Sequence, residues 1–390
     1  MASATDLITQ LNSLGQRISD GDQKARALAL KVTEQLSTSL SDPTNVAVDL
    51  AFSPFIAVAA RIAVNLGLFK IISEHEGSID SKQLSALSGA EELLIIRILR
   101  PLSAIGFVKE VGEKTWEASP VSRSMAKEEI AAGHRMIGEM VVGAAQKAPK
   151  FLQEYGSRCP SSPHDGLMQY AFQTKLTAFE LFATMPSILK DFNLFMGNTM
   201  GAREYWVDWY PVQAQLLDGH DGGTALLIDV GGGKGHDLIA FHQLYKGRGR
   251  LVLQDLAPVI DGLHGLDPAI EAVKYDFFTP QPIIGARAYF YHHILHDWSD
   301  ENCVNILKQV KLAMAPGYSK LLLHEMIVPD VGASKFHAML DMTMMAFNAG
   351  MERTETQWKT LLESVGFEVT HIWPAMQEDA DGIIEAMIKV

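Results

Sequence analysis

The stretch Leu227-Ile-Asp-Val-Gly-Gly-Gly-Lys-Gly-His-Asp237 contains the most informative pattern in the chain. An apolar run that ends in glycines and leads into a helix is typical of a buried parallel strand whose following loop approaches a ligand with its backbone N–H groups. The spacing Gly231-x-Gly233-x-Gly235 differs from both the dinucleotide fingerprint and the P-loop. Asp255 ends the next apolar run about 20 residues later, where a carboxylate can bind ribose hydroxyls. The pattern favours a nucleoside without a pyrophosphate over a purely structural turn.

Further short apolar runs follow, separated by helical patterns. They are residues 226–230, 250–255, 286–291 and 320–325. Nearly continuous apolar runs of this length are expected for strands that are buried on both faces of a parallel sheet. Residues 206–390 are therefore predicted to form an α/β domain with a doubly wound, Rossmann-like sheet.

A second motif, Tyr291-His-His-Ile-Leu-His-Asp-Trp-Ser-Asp300, follows the third of these runs. It should lie at the carboxyl edge of the sheet, where open α/β folds bind ligands. Three histidines in five residues raise the question of a metal, but no cysteine or facing His-x-x-x-His pair accompanies them. We expect one imidazole to face the site, suited to accept a proton from a hydroxyl group near neutral pH.

The first 125 residues have a different pattern. Amphipathic helices are predicted for the first 40 residues, followed by short helices and a hairpin around a Gly-Glu-Lys turn, in the outline of a winged helix. Winged helices often bind DNA, but the presumed recognition segment, residues 91–100, contains only Arg97 and Arg100 as basic residues. We interpret residues 1–125 as a structural, dimerisation module and residues 126–205 as a helical connector that contributes to an acceptor pocket.

Composition narrows the possible functions. The 390 residues include 33 Lys and Arg against 46 Asp and Glu, a formal net charge of −13, which disfavours a nucleic-acid partner. The apolar stretch 46–69 is interrupted by Asp49, Pro54 and Arg61, so no membrane span is expected. No secretory signal is visible, and the two cysteines form no C-x-x-C pair, so a cytoplasmic location is expected.

Together these segments resemble the plant-type, class II family of S-adenosylmethionine-dependent O-methyltransferases, in its fungal branch, over essentially the whole chain. The resemblance rests on six segments in order, with a Gly366-Phe367 pair after the last: 229–235, 254–260, 275–278, 296–301, 325–329 and 352–355. It implies the cofactor S-adenosylmethionine, a small aromatic or polyketide-like acceptor with a phenolic or enolic hydroxyl, no metal, and a homodimer.

The resemblance also implies roles for individual residues. The catalytic set is a general base with two flanking carboxylates: His296, Glu325 and Glu352. The cofactor-binding set is Gly231, Gly232, Gly233, Asp255, Leu256, Asp276, Phe277, His292 and Trp298. The acceptor-binding set is Phe192, Met196, His293, Met344 and Asn348. Two positions depart from the family pattern, since His292 replaces a commoner basic residue and Met351 replaces a common lysine.

Two alternatives stay open at this point. Some fungal proteins of this family catalyse dehydrations or pericyclic ring closures, in which the bound sulfonium acts as a fixed positive charge. The retained His296, Glu325 and Glu352 favour methyl transfer over that chemistry. A winged-helix regulator with a vestigial sheet is the second alternative, and the absence of a basic face disfavours it.

Overall fold

The computed structural model describes residues 2–199, 205–377 and 379–389. The chain folds into two compact units, Met1–Arg123 and Ser124–Val390. Residues 200–204 of the predicted connector lie outside the described residues.

The first unit contains seven helices and a small antiparallel sheet with the order β1-β3-β2 among its described residues. Its elements are α1 (Ala4–Ser19), α2 (Gln23–Leu40), α3 (Pro43–Phe52), α4 (Pro54–Asn65), α5 (Leu68–Glu74), β1 (Ile79–Asp80), α6 (Ser81–Ser88), α7 (Glu92–Ala104), β2 (Val108–Gly112) and β3 (Thr115–Ala118). The predicted hairpin is present, with Lys114 in its turn at a φ of 52°. Helix α8 (Pro120–Met125) crosses the boundary between the units.

Helices α3 and α4 leave large apolar side chains uncovered in the single chain. Leu50, Phe52 and Phe55 are 74%, 63% and 66% exposed. The stretch Pro43–Asn65 is long and apolar enough to cross a bilayer by length and composition alone, with a mean hydropathy of 1.7. Asp49 and Arg61 lie within it. Exposed apolar patches of this kind commonly mark interaction surfaces.

The second unit contains the remaining elements. They are α9 (Glu128–Met136), α10 (Val142–Ala145), α11 (Ala148–Tyr155), α12 (Leu167–Phe172), α13 (Ala178–Ala183), α14 (Pro186–Thr199), β4 (Ala225–Val230), α15 (His236–Leu244), β5 (Arg250–Asp255), α16 (Ala257–Asp261), β6 (Ile270–Lys274), β7 (Ala288–His292), α17 (Asp300–Ala313), β8 (Lys320–Glu325), β9 (Ile327–Val328), α18 (Lys335–Asn348), β10 (Arg353–Thr354), α19 (Glu355–Val365), β11 (Phe367–Trp373) and β12 (Gly382–Ile388).

Seven of these strands form one sheet with the order β11-β12-β8-β7-β4-β5-β6. Strands β4 to β8 are parallel, and β12 and β11 extend the sheet antiparallel. Along β7, Tyr289 and Tyr291 pack in one apolar layer while Phe290 packs in the layer on the opposite face. The doubly wound α/β fold is thus confirmed. The strand order reverses between β4 and β7, and their carboxyl ends define the expected ligand crevice.

Candidate active site

The loop after β4 contains three consecutive glycines, and at two of them a Cβ atom would lie within 2.5 Å of a neighbouring side chain. Gly231 has a φ of 75°, and a Cβ atom added there would lie 2.5 Å from Cδ1 of Ile294. A Cβ atom at Gly232 would lie 2.2 Å from a carboxylate oxygen of Asp229. Gly233 has a φ of 58°, a conformation that glycine adopts without the steric cost of a side chain. The backbone can therefore approach a ligand closely at this point.

Two carboxylates border this loop. Asp255 ends β5 and accepts hydrogen bonds from the N–H groups of Gly233 (2.8 Å) and Leu256 (2.7 Å). Burial raises its pKa, while these two donors oppose the increase. Asp276 follows β6 and accepts from the N–H of Phe278 at 3.0 Å. Both carboxylates thus lie at the carboxyl ends of neighbouring strands.

An aromatic cluster lies after β6. The Trp298 ring meets Phe277 edge-on at 5.9 Å and Phe278 at 4.8 Å, between ring centroids. A nucleoside is bound by three kinds of group. A glycine loop lets the protein backbone approach it, a strand-end carboxylate binds the ribose, and a pair of rings contacts the base. The residues present therefore fit the adenosine part of S-adenosylmethionine.

Asp229 is a buried carboxyl directly under the glycine loop. Among the described residues neither of its oxygens has a hydrogen-bond partner. Burial raises its pKa well above the ordinary value, and the nearby Asp237 carboxylate adds to the increase. A buried polar group without a partner is costly, so a ligand donor at this loop would relieve that cost.

His296 lies in a 3₁₀ turn, Leu295–Asp297, that follows β7. Its Nδ1 atom lies 2.7 Å from Oε1 of Glu352. Glu325, at the end of β8, makes no hydrogen bond to the imidazole; its Oε1 atom accepts from the N–H groups of Ile294 and Leu295 at 3.1 and 2.8 Å. One glutamate thus orients the ring, and the other holds the backbone that carries it.

The electrostatics of this turn favour the imidazolium. Burial disfavours the charged ring, but the carboxylates of Asp297, Glu352 and Glu325 outweigh it and raise the pKa of His296 to about 10. Burial also disfavours the charged form of Glu325, and it raises the pKa of this carboxyl to about 7 against the opposing charge of His296. The cluster is therefore built to stabilise a proton on this ring.

The other two histidines of the motif each have a carboxylate partner. Nδ1 of His292 lies 2.8 Å from Asp237, and Nε2 of His293 lies 2.8 Å from Asp381. Burial disfavours the His292 imidazolium, but Asp237 outweighs this effect and raises its pKa to about 9. Among the described contacts, His292 therefore meets Asp237 on α15 and the aromatic rings next to it. These contacts do not connect it to the aromatic cluster around Trp298.

Four of the five predicted acceptor residues lie on α14 and α18, and the fifth, His293, directly follows β7. Phe192 belongs to a group of rings with Phe179, Phe182 and Phe347, at centroid distances of 6.1, 5.7 and 6.3 Å. Met344 is buried and Met196 is 38% exposed.

Asn348 has a structural environment instead. Its Oδ1 accepts from the N–H of Ala178 (3.3 Å), and its Nδ2 donates to the carbonyl of Asp297 (3.1 Å). The amide therefore ties α13 to the turn that carries His296, and both ends of the amide are already used.

Sequence reasoning missed Arg353, which is fully buried next to Glu352. Its guanidinium donates to the carbonyls of Leu295 (3.0 Å) and Trp298 (2.8 Å), on either side of His296. It also pairs with Asp300 at 2.8 Å. Sequence spacing does not show that an arginine between two acidic segments is fully buried, although Arg353 lies in the Glu-Arg-Thr-Glu segment.

Asp237 and Asp381 were also missed as partners of histidines. Asp237 lies two residues after the glycine loop, but Asp381 is 88 residues away from His293 along the chain. Only the antiparallel strand β12 brings it to the same edge of the sheet.

Known proteins resemble this chain closely. Residues 208–368 match the family described as the O-methyltransferase domain. The O-methyltransferase penC of Penicillium thymicola is 52% identical over 385 residues, which cover 98% of this chain and 96% of penC.

Two solved structures share the fold at 26% identity. OxaC in complex with sinefungin and meleagrin has a TM-score of 0.87 and covers 99% of each chain. LepI in complex with S-adenosylmethionine has a TM-score of 0.86, covering 99% of this chain and 100% of LepI, and a chain with the same scores is described as a pericyclic reaction enzyme. With the site geometry, these similarities show that the chain belongs to the fungal branch of the S-adenosylmethionine-dependent O-methyltransferases.

Proposed function

We propose that this enzyme methylates a phenolic or enolic hydroxyl of a small, polyketide-like secondary metabolite, with His296 as the general base. The observation that carries the proposal is the 2.7 Å contact between Nδ1 of His296 and Glu352, next to a loop that fits a nucleoside. A ring held this way keeps its Nε2 lone pair for the acceptor hydroxyl.

The cofactor supplies an electrophilic methyl group when bound. The glycine loop, Asp255, Leu256, Asp276, Phe277, Trp298 and His292 are the residues proposed to hold it. Nε2 of His296 takes the hydroxyl proton, and Glu352 fixes the tautomer by accepting from Nδ1. The three nearby carboxylates stabilise the resulting imidazolium. The protein's contribution is therefore an oriented base and an oriented acceptor.

The protonation state of His296 depends on what is bound. With a pKa of about 10, the ring is protonated at neutral pH in the cofactor-free protein. A cation in the adjoining nucleoside site lowers that pKa, because like charges disfavour the imidazolium. A bound cofactor would therefore favour the neutral ring that a general base requires.

The acceptor is proposed to lie among Phe192, Met196, Met344 and His293. Aromatic and thioether side chains suit a flat, partly oxygenated ring system. Asn348 is proposed to act here through the Asp297 carbonyl that it holds.

The proposal is tested by incubating the enzyme with methyl-labelled S-adenosylmethionine and a set of phenols. Label in the phenol together with an equal amount of S-adenosylhomocysteine is expected. Tight cofactor binding without any S-adenosylhomocysteine would contradict the proposal.

A second candidate is a dehydration or pericyclic ring closure on the same site. It is favoured by the likeness to a pericyclic reaction enzyme over 99% of this chain. Here the bound sulfonium would act only as a fixed charge. A product of unchanged mass, or lighter by one water, formed without cofactor consumption would support it.

The enzyme is further proposed to be a cytoplasmic homodimer that binds no nucleic acid. The exposed apolar surface of α3 and α4 supports a dimer, because a second copy of the same surface would cover it. The net charge of −13 supports the absence of a nucleic-acid partner.

A further inference from the structure

Two histidine–carboxylate pairs lie side by side in the active site. His296 is paired with Glu352 at 2.7 Å, and His293 is paired with Asp381 at 2.8 Å. The two imidazole rings are stacked, with centroids 5.0 Å apart and an interplanar angle of 25°. The proposed methyl transfer uses only the first pair as a base; His293 is proposed only to border the acceptor, and its pairing with Asp381 has no assigned task.

The backbone of His293 is strained to hold this arrangement. Its φ of 52° lies in the left-handed region, which non-glycine residues rarely adopt. The strained residue is fixed at both ends: its N–H donates to the carbonyl of His324 at 3.1 Å, and its ring is bound by the buried Asp381. Strain that the surrounding structure maintains in this way is concentrated at functional sites.

The paired carboxylate decides which nitrogen of His293 is left for a ligand. Asp381 accepts from Nε2, and no hydrogen bond to Nδ1 is found in the part of the chain that the structure describes. Burial lowers the pKa of His293 despite the nearby Asp381, so the ring is neutral at pH 7 and Nδ1 is an acceptor. The side chain keeps 18% of its surface accessible.

Geometry separates the atoms that the two rings can bind. An imidazole nitrogen forms hydrogen bonds in the plane of its ring. Two rings 5.0 Å apart and inclined by only 25° therefore bind two separate atoms. Oxygens on adjacent or peri carbons of one aromatic system are close enough together to meet both rings at hydrogen-bond lengths of about 2.8 Å.

We infer that His293 and Asp381 form a second oxygen-binding subsite, and that the acceptor carries two oxygens on adjacent or peri carbons. This inference rests on the proposed O-methylation. One hydroxyl loses its proton to Nε2 of His296 as its oxygen forms the new O–CH₃ bond, and the electron pair of the broken S–CH₃ bond stays on sulfur. The second hydroxyl keeps its proton and donates to Nδ1 of His293, with Asp381 as the positioning residue.

The test compares paired acceptors at saturating S-adenosylmethionine: catechol with phenol, and 1,8-dihydroxynaphthalene with 1-naphthol. The wild-type enzyme is expected to show a kcat/KM about tenfold higher for the dihydroxy member of at least one pair, the effect of one added hydrogen bond. His293→Asn keeps a residue that tolerates a positive φ, and it should reduce that preference to threefold or less. It should lower kcat/KM for the monohydroxy member by a smaller factor than for the dihydroxy member.

Asp381→Asn should reduce the same preference by a smaller factor, because it weakens the orientation of His293 without removing the ring. His242→Asn, on α15 outside the subsite, is the matched control and should keep the preference. Equal kcat/KM for both members of both pairs, or an equal loss for both members in His293→Asn, would overturn the inference and leave O-methylation standing. If the cofactor binds but none of the four compounds is methylated, the phenolic acceptor itself is wrong and the inference falls with it.

Discussion

The second carboxylate oxygen of Glu352, Oε2, has no hydrogen-bond partner among the described residues, while Oε1 holds Nδ1 of His296. A fully buried carboxylate used for one bond makes that bond strong, because little else competes for its charge. The protonation of His296 and its orientation therefore depend on the same side chain.

We predict that Glu352→Gln lowers the pKa of His296 below its value of about 10, because the imidazolium loses a neighbouring negative charge. NMR titration of the His296 ring in the cofactor-free protein measures the change. Glu355→Gln is the control. Glu355 forms an exposed ion pair with Lys359 in the next segment, so this variant should leave the His296 pKa unchanged. An unchanged His296 pKa in Glu352→Gln would contradict this assignment of the raised pKa.

The glycine loop gives a second prediction at this scale. Gly231→Ala should weaken S-adenosylhomocysteine binding at least tenfold, since the new methyl group would lie 2.5 Å from Ile294 and distort the loop. Gly247 has a similar φ of 71°, and a Cβ atom added there would have no heavy atom within 4 Å. Gly247→Ala therefore isolates the backbone strain of about 1 kcal/mol. Calorimetric titration of both variants decides. Equal affinities would show that the close approach at Gly231 has no role in binding.

At the scale of elements, the apolar runs predicted β4, β5, β7 and β8, because strands buried on both faces need apolar side chains at every position. Strand β6 was not predicted, since it lies at the edge of the sheet and only Ile270 of its five residues is buried. The antiparallel β12 was missed too, and Asp381 with it. The local sequence pattern thus identifies the interior strands of the sheet. The positions of the carboxylates depend on strands that are far apart along the chain and pair in the fold.

Arg353 links the turn of His296 to β10, and its loss should destabilise that turn. We predict that Arg353→Met costs about 3 kcal/mol of unfolding free energy, because it removes the fully buried guanidinium and its hydrogen bonds to the carbonyls of Leu295 and Trp298. Arg250→Met removes an exposed pair with Glu271 and should cost less than about 1 kcal/mol. Urea denaturation of the two variants compares them. A similar small cost for both would show that Arg353 is not a structural clamp.

At the scale of the whole molecule, the apolar runs indicated the α/β fold, and the six ordered motifs identified the family. The acceptor is less predictable, because methionine and phenylalanine serve equally as core and as pocket wall. Met342 is 52% exposed, while Met344 on the same helix is buried. Their burial depends on how α18 packs, which helical spacing alone does not determine.

The proposed dimer is tested on the surface of α3. Leu50→Asp with Phe52→Asp should convert the protein to a monomer in sedimentation velocity at micromolar concentration, because a charge would have to be buried in each interface. Leu312→Asp, at a leucine that is 79% exposed on α17, is the control and should keep the wild-type mass. A wild-type protein that sediments as a monomer would contradict the proposal directly.

The central claim is that His296 is the base in methyl transfer, and His296→Ala tests it most directly. With methyl-labelled S-adenosylmethionine and the best phenolic acceptor found, the variant should lose about 10³-fold in kcat, the typical contribution of a positioned base. Its affinity for S-adenosylhomocysteine should stay within about twofold to threefold of wild type, because the nucleoside contacts are intact. A variant that binds the cofactor normally and keeps kcat within tenfold of wild type would contradict the account.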